Sequence, residues 1–228
     1  MSRKLSLGLL GYCGSATLVA GILYSYSTLT WVEVVVGILL LGASAAFLLV
    51  DKPWRLLVHR HPTQSGSLGF GLALGLLWLM EITMNNVLQP PLPGRDLADN
   101  AFWILISALT IGYSALRSAS SGHISSGVSS GFLVGSASGL VACAVALTFV
   151  VFGMGFLASD PVNNLEWSGI RSKEAFGSME KYLAFETLTG GYLHFAGLGA
   201  LGGILLGAVG AVMGYLGRKV ATRPSSSR

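Results

Sequence analysis

Six apolar runs constrain this chain more than any other feature. They cover Leu5–Leu23, Val32–Val50, Leu68–Leu88, Leu97–Leu116, Phe132–Leu157 and Leu193–Leu216, each close to the roughly 20 residues that cross a ~30 Å hydrocarbon core. In lipid, every backbone N–H and C=O must be paired within the protein, and a single segment achieves that alone only as a helix. Composition closes the soluble alternative. Charged residues make up 11% of the 228, against roughly 25% in an average soluble domain, too few to cover a globule of this size. The sequence therefore predicts an all-α integral membrane protein: a bundle of six transmembrane helices forming one domain over residues 1–217, followed by a basic, disordered tail at 218–228.

Orientation follows from the cations. With the N-terminus inside, the inner set is Arg3, Lys4, Lys52, Arg55, Arg60, Arg117, Arg218, Lys219, Arg223 and Arg228, and the outer set is Arg95, Arg171, Lys173 and Lys181. Ten against four satisfies the positive-inside rule, and only an even number of spans keeps the basic tail on the inner side. The expectation is a multi-pass protein of the cell membrane with both termini in the cytoplasm. Its net charge of +4 orients the chain rather than binding nucleic acid. Arg3-Lys4 before an apolar run could also open a signal peptide, but no A-x-A site follows, so a retained first helix is expected.

The connections give the next layer. Gln89–Asn100, with Pro90, Pro91 and Pro93, reads as an outer loop, and the Ser/Gly-rich Arg117–Gly127 as an inner one. Asp160-Pro161 should stop the fifth helix. From Ser172 to Thr187 the composition favours a helix mixing Phe176, Met179, Leu183 and Phe185 with charges, as in one outer interfacial helix.

Small residues recur at helical spacing. Gly127, Gly131, Gly135 and Gly139 step by four, with Cys143 continuing the line; Ala196, Ala200, Gly203, Gly207, Gly210, Gly214 and Gly217 alternate four and three. At 3.6 residues per turn each set forms one face, and bare faces let membrane helices approach closely. Gly71 and Gly75 give the third span a shorter version.

Polar residues inside spans are costly. A carboxylate near the centre of a span costs roughly 2.5–3.5 kcal/mol on insertion scales, so it usually faces protein or water. Glu81 lies in the third run with Asn85 one turn on and Asn86 beside it; Glu33 and His194 open the second and sixth runs, and Asp99 and Asn100 sit just above. These residues are expected to line an outward-facing polar pocket in which Glu81 exchanges a proton or holds a cation. That makes a small permease or channel-like component the leading function. The alternative is a non-catalytic subunit or assembly factor whose glycine ridges pack against other membrane helices or further copies of itself. The lipid bilayer is a partner on either reading.

An intramembrane enzyme comes third. His194-Phe195-Ala196-Gly197, Ser136-Ala137-Ser138-Gly139 and Trp54-Arg55 are similar to motifs of the rhomboid intramembrane serine proteases. The leading Gly of the rhomboid GxSG is missing, and Trp54-Arg55 falls on the inner side. Ser136 and Ser138 should also lie in the inner half of the fifth span and His194 near the outer face, more than about 10 Å apart at 1.5 Å per residue. No catalytic residue is assigned on this basis. His59-Arg60-His61 lacks further ligands and reads as lipid-headgroup contact; no metal or cofactor is expected, and Cys13 and Cys143 form no ligand pair.

Overall fold

The computed structural model describes residues 2–24, 28–49, 66–170 and 173–222, all helical or in short connections, with no strand among them. In chain order the helices are α1 (Ser2–Tyr24), α2 (Thr28–Leu49), α3 (Ser67–Thr83), α4 (Leu92–Ser121), α5 (Ile124–Phe152), α6 (Met154–Ser159), α7 (Pro161–Gly169), α8 (Lys173–Phe176), α9 (Met179–Tyr192) and α10 (Gly202–Ala221). Two π-helical stretches extend this list: Met84–Leu88 prolongs α3, and Leu193–Leu201 joins α9 to α10. Five continuous helices are long and apolar enough to cross a membrane: Arg3–Tyr24, Ser67–Leu88, Leu92–Ser121, Ile124–Phe152 and Met179–Ala221. In α2 the apolar stretch Val34–Leu49 is shorter.

Outward faces carry Ile22, Leu39, Leu97, Ile104, Leu116 and Leu205, each about two-thirds exposed or more. Water would penalise such a surface, whereas lipid accepts it. This is an all-α membrane protein of the multi-pass kind.

The bundle is organised around α5. In its most apolar window 78% of residues are buried, against 22% in α4, so α5 is the axis and α4 a peripheral helix. Its glycines explain how neighbours get so near. A Cβ on Gly203 would lie 2.6 Å from the Gly131 carbonyl oxygen, and one on Gly207 2.9 Å from the Gly131 Cα. Gly135 and Gly139 abut the carbonyls of Gly199 and His194. The second stripe divides: Gly203 and Gly207 meet α5, while Gly210 and Gly214 meet the backbone of α4 at Ile111 and Ala115. Ala196 and Ala200 instead line a cavity, and Gly217 faces open space. On the other side of α5, Gly71 and Gly75 of α3 accept Val134, Ala137 and Val141.

Polar contacts set the register of the remaining helices. Tyr12 bonds Thr148 at 2.7 Å, Thr17 bonds Tyr192 at 2.6 Å, and Ser67 donates to Ser130 at 3.2 Å. Arg3 donates through Nε to the Leu48 carbonyl at 2.6 Å, so α1 and α2 run antiparallel. Arg218 donates to the Ala119 and Ser120 carbonyls, placing a cation on the orphan acceptors at the α4 C-terminus, where the helix dipole favours it.

Several sequence expectations change here. The two loops nearly vanish: α4 starts at Leu92 with Pro91 as its N-cap, because proline suits a first turn whose N–H groups are unpaired anyway. Its far end closes through Gly122, whose φ of 75° and N–H bond to Ser118 let α5 begin two residues later. α5 therefore spans Ile124–Phe152 rather than 132–157. The helix expected over Ser172–Thr187 appears as α8 and α9, and α9 is not set apart from the last span. α9 starts at Met179 behind its Ser178 cap and continues without a break into the last span, since no Pro or left-handed glycine interrupts residues 179–201. α10 also passes Gly217 to end at Ala221, so the first residues assigned to the tail are helical.

Candidate functional site

At the end of the bundle remote from Ser2, α3 loosens into its π turn and the polar residues gather. The Asn85 amide nitrogen donates to Glu81 Oε1 and to Asp99 Oδ1, each at 2.7 Å. One NH₂ group thus clamps two carboxyls from different helices. Glu81 and Asn85 each retain only 8% exposure. Arg95 Nη2 donates to the Asn85 backbone carbonyl at 3.0 Å and to Asp160 Oδ2 at 2.8 Å, and Asp160 is 1% exposed. The other Asp160 oxygen accepts the Val162 N–H at 3.0 Å and caps α7. Gln89, held at φ 48°, donates to the carbonyls of Asn86 and Phe156 and to Ser159 Oγ. α3, α4, α6 and α7 are therefore tied at one point.

The π turn has a role in this. In a regular α-helix Asn85 would lie directly over Glu81; the widened turn at Met84–Leu88 adds room for its amide to reach Asp99 of α4 as well. Such turns recur at functional sites. Two polar atoms of the network stay unpartnered and buried, Asn85 Oδ1 and Arg95 Nε. Because buried polar atoms are nearly always paired in folded proteins, these two mark places for a donor and an acceptor from water or a ligand.

Of the residues expected to line the site, Glu81 and Asn85 come together as its centre. Asn86 does not join them: its side chain donates to the Ile82 carbonyl at 2.8 Å on its own helix. Asn100 likewise bonds back to Asp96. Glu33 sits on α2, and its side chain lies outside the described residues, as does the His59-Arg60-His61 segment. His194 is not at the start of a span. The last helix begins fifteen residues earlier, so His194 lies level with Gly139, whose Cα faces the His194 carbonyl. Its Nδ1 is 2.8 Å from the Gly190 carbonyl, and its ring stands edge-on to Trp78, centroids 5.0 Å apart, with Trp103 at 6.0 Å.

That placement corrects the expected separation of His194 from the Ser-rich stretch. Ser138 accepts the Trp78 indole N–H at 3.0 Å, so Ser138 and His194 flank the same tryptophan one turn below Glu81. The expected separation rested on a sixth span starting at Leu193, whereas the helix starts at Met179. Both groups are already engaged, Ser138 by Trp78 and His194 Nδ1 by its own helix.

Arg95, Asp160 and Gln89 were not singled out by sequence reasoning. The available signal was weak: Asp160 marked a helix stop, and Arg95 is the one cation in a proline-rich connection. Their sequence separation of 65 residues left no pattern linking them. No group of three or more His, Cys, Asp and Glu suited to a metal ion occurs among the described residues.

No protein-family model, curated protein or solved structure matches the chain.

Proposed function

We propose that this chain is a six-span membrane protein with both termini in the cytoplasm, acting as a small permease or channel-like component that takes up a proton or small cation at Glu81. One observation carries the reading: a buried amide holds two carboxyls together inside a lipid-facing bundle. Counting the linked groups, three carboxyls (Glu81, Asp99 and Asp160) face one guanidinium, that of Arg95. Buried charge is tolerated only when compensated, and Arg95 is already committed to Asp160. A proton or monovalent cation at the Glu81–Asp99 pair supplies the missing positive charge, which is the usual role of intramembrane acids in proton and ion pathways. The Trp78–Trp103–His194 cluster lies on the inner side of the pair and forms the next stage of a path. Glu81 is nearly closed off while Asp99 is half-buried, so the pair is approached from the Asp99 side, and opening the ties at Gln89 and Arg95 widens access to Glu81.

The test is flux and accessibility together. In proteoliposomes with a trapped pH dye, and with Na⁺ or K⁺ gradients, wild type conducts or exchanges, Glu81→Gln does not, and Asn86→Ala does. A Cys at position 81, with Cys13 and Cys143 replaced by Ala, should react with an impermeant thiol reagent from the outer side. Absence of flux under every gradient, with the thiol at position 81 unreactive while a control Cys at position 96 reacts, refutes the proposal.

The assembly-factor reading retains one specific observation. The main glycine stripes face each other inside the chain, but a groove of about 630 Å³ follows α4 and α10 past Ala108, Gly112, Ala119 and Gly217. A partner helix of the membrane would fit small residues there. Loss of a co-purifying protein or of a homo-oligomer in Gly112→Leu, with Glu81→Gln silent, would favour it.

A further inference from the structure

A second cavity lies at the opposite end of the bundle and shares no residue with the polar site. α2 packs along α1. Near Gly37 it meets the Tyr192 ring, but toward Leu48 it stands away from α5. The wedge between them encloses about 290 Å³. Its walls include Leu40 and Ala43 of α2, Leu133 and Leu140 of α5, and Ala196 and Ala200 of the last helix. Ala43 is exposed and the two alanines opposite are half-buried, so the crevice opens sideways, between helices whose outer faces meet lipid. Phe47 and Phe132 touch edge to face, centroids 6.4 Å apart, at its margin.

Two observations say what this space holds. The first is that water does not suit it. The volume would take roughly ten waters at about 30 Å³ each, yet each water needs two to four polar partners, and apolar cavities of this kind stay dry. An empty crevice would forfeit dispersion along its whole lining, whereas a hydrocarbon chain entering from the bilayer recovers it.

The second is a polar anchor. Ser6 is 2% exposed and lines the crevice, and its hydroxyl has no partner; the Ser136 hydroxyl, on the opposite wall, is in the same position. Helical serines and threonines normally bond back to the carbonyl four residues earlier, as Ser44, Thr110 and Thr148 do here. Ser6 and Ser136 do not, and both residues belong to the crevice wall. The other unpartnered serine hydroxyls, Ser114, Ser118 and Ser126, do not line it. Ser6 lies one turn from Arg3 and near Lys4, at the level where a chain would leave its headgroup.

The geometry points to a lipid-chain site: one acyl chain of a glycerophospholipid lies in this crevice, with its ester carbonyl accepting a hydrogen bond from Ser6. The anchoring donor is short of partners because the lipid is its partner. The chain also props α2 away from α5.

The test uses the full chain reconstituted in phosphatidylcholine vesicles doped with a phosphatidylcholine that carries a diazirine on one acyl chain. After irradiation, label should concentrate on peptides covering 40–48 and 132–140, above the lipid-facing control 104–109. Ala43→Trp, which fills the crevice from an exposed position, should abolish that excess and leave the control label intact; Ala200→Leu does the same from the other wall should the first variant fail to insert. In competition, an ether-linked analogue should displace the probe less well from wild type than the ester lipid, and equally well from Ser6→Ala. Label no higher in the crevice than on the control overturns the site, and equal competition in wild type overturns the ester contact. A cross-link between Cys residues placed at positions 44 and 57, or at position 44 of two copies, with no crevice label, would assign the space to the chain itself or to a dimer instead.

Discussion

Adding one methyl group at Gly203 should unfold this bundle more readily, while adding one at Gly112 should not. The Cβ of Gly203→Ala would sit 2.6 Å from the Gly131 carbonyl oxygen and 3.1 Å from the Gly135 Cα. Ordinary contact begins near 3.4 Å, and both neighbours are backbone atoms of a helix packed on its far side by α3, so neither can swing aside. The last helix must then retreat from α5 by about 0.8 Å, and a gap of 0.5–1 Å forfeits a quarter to a half of each dispersion contact along the seam. Overpacking of this kind costs roughly 1–3 kcal/mol. Gly112 lies inside α4 with nothing within 4 Å of a built Cβ. There the substitution only restricts the unfolded chain and improves helix propensity, a gain of about 0.4–1 kcal/mol. Reversible unfolding in mixed micelles, titrating SDS, measures both. Gly203→Ala should fall below wild type by about 2 kcal/mol and Gly112→Ala should lie at or above it. Equal effects, or a stabilised Gly203→Ala, would refute close backbone contact as the source of cohesion between α5 and the last helix.

Asp160→Ala strands the Arg95 guanidinium at a site where the aspartate is 1% exposed, and losing one partner of a buried pair costs roughly 3–5 kcal/mol; amide exchange over residues 154–170 should accelerate while that of α5 holds. Gln89→Gly relieves the left-handed backbone but deletes three hydrogen bonds, so exchange at α6 should rise with little change in global stability. Tyr192→Phe removes the bond to Thr17, a loss of about 1 kcal/mol measurable in the same SDS titration. Glu81→Gln should leave the fold intact in that assay, since a neutral amide can still accept from Asn85, and yet abolish flux.

Much of the architecture is legible in the amino-acid order. Apolar runs of bilayer length admit only helices, because an unpaired backbone group in lipid costs several kcal/mol, and that constraint is local. The same holds for the glycine spacing, whereas the fifth helix ends at Phe152 before Gly153 and not at Asp160-Pro161, where Asp160 caps α7 instead. Glu81 and Asn85 are also legible together, since four residues apart on one helix is a contact. What the order does not carry is which helix each residue meets. The bond from Asn85 to Asp99 needs a π turn, and the Arg95–Asp160 pair joins residues on either side of the central helix in sequence. The division of one glycine stripe between α5 and α4 depends on the crossing of three helices. His194 shows the difference most plainly. Hydropathy placed it at the mouth of a span, because polar residues before it lower the local average; packing carried the helix start from Leu193 back to Met179 and set His194 against Trp78 in the interior. Local chemistry decides that a segment is a helix, but its depth and neighbours follow from the cohesion of all the helices at once.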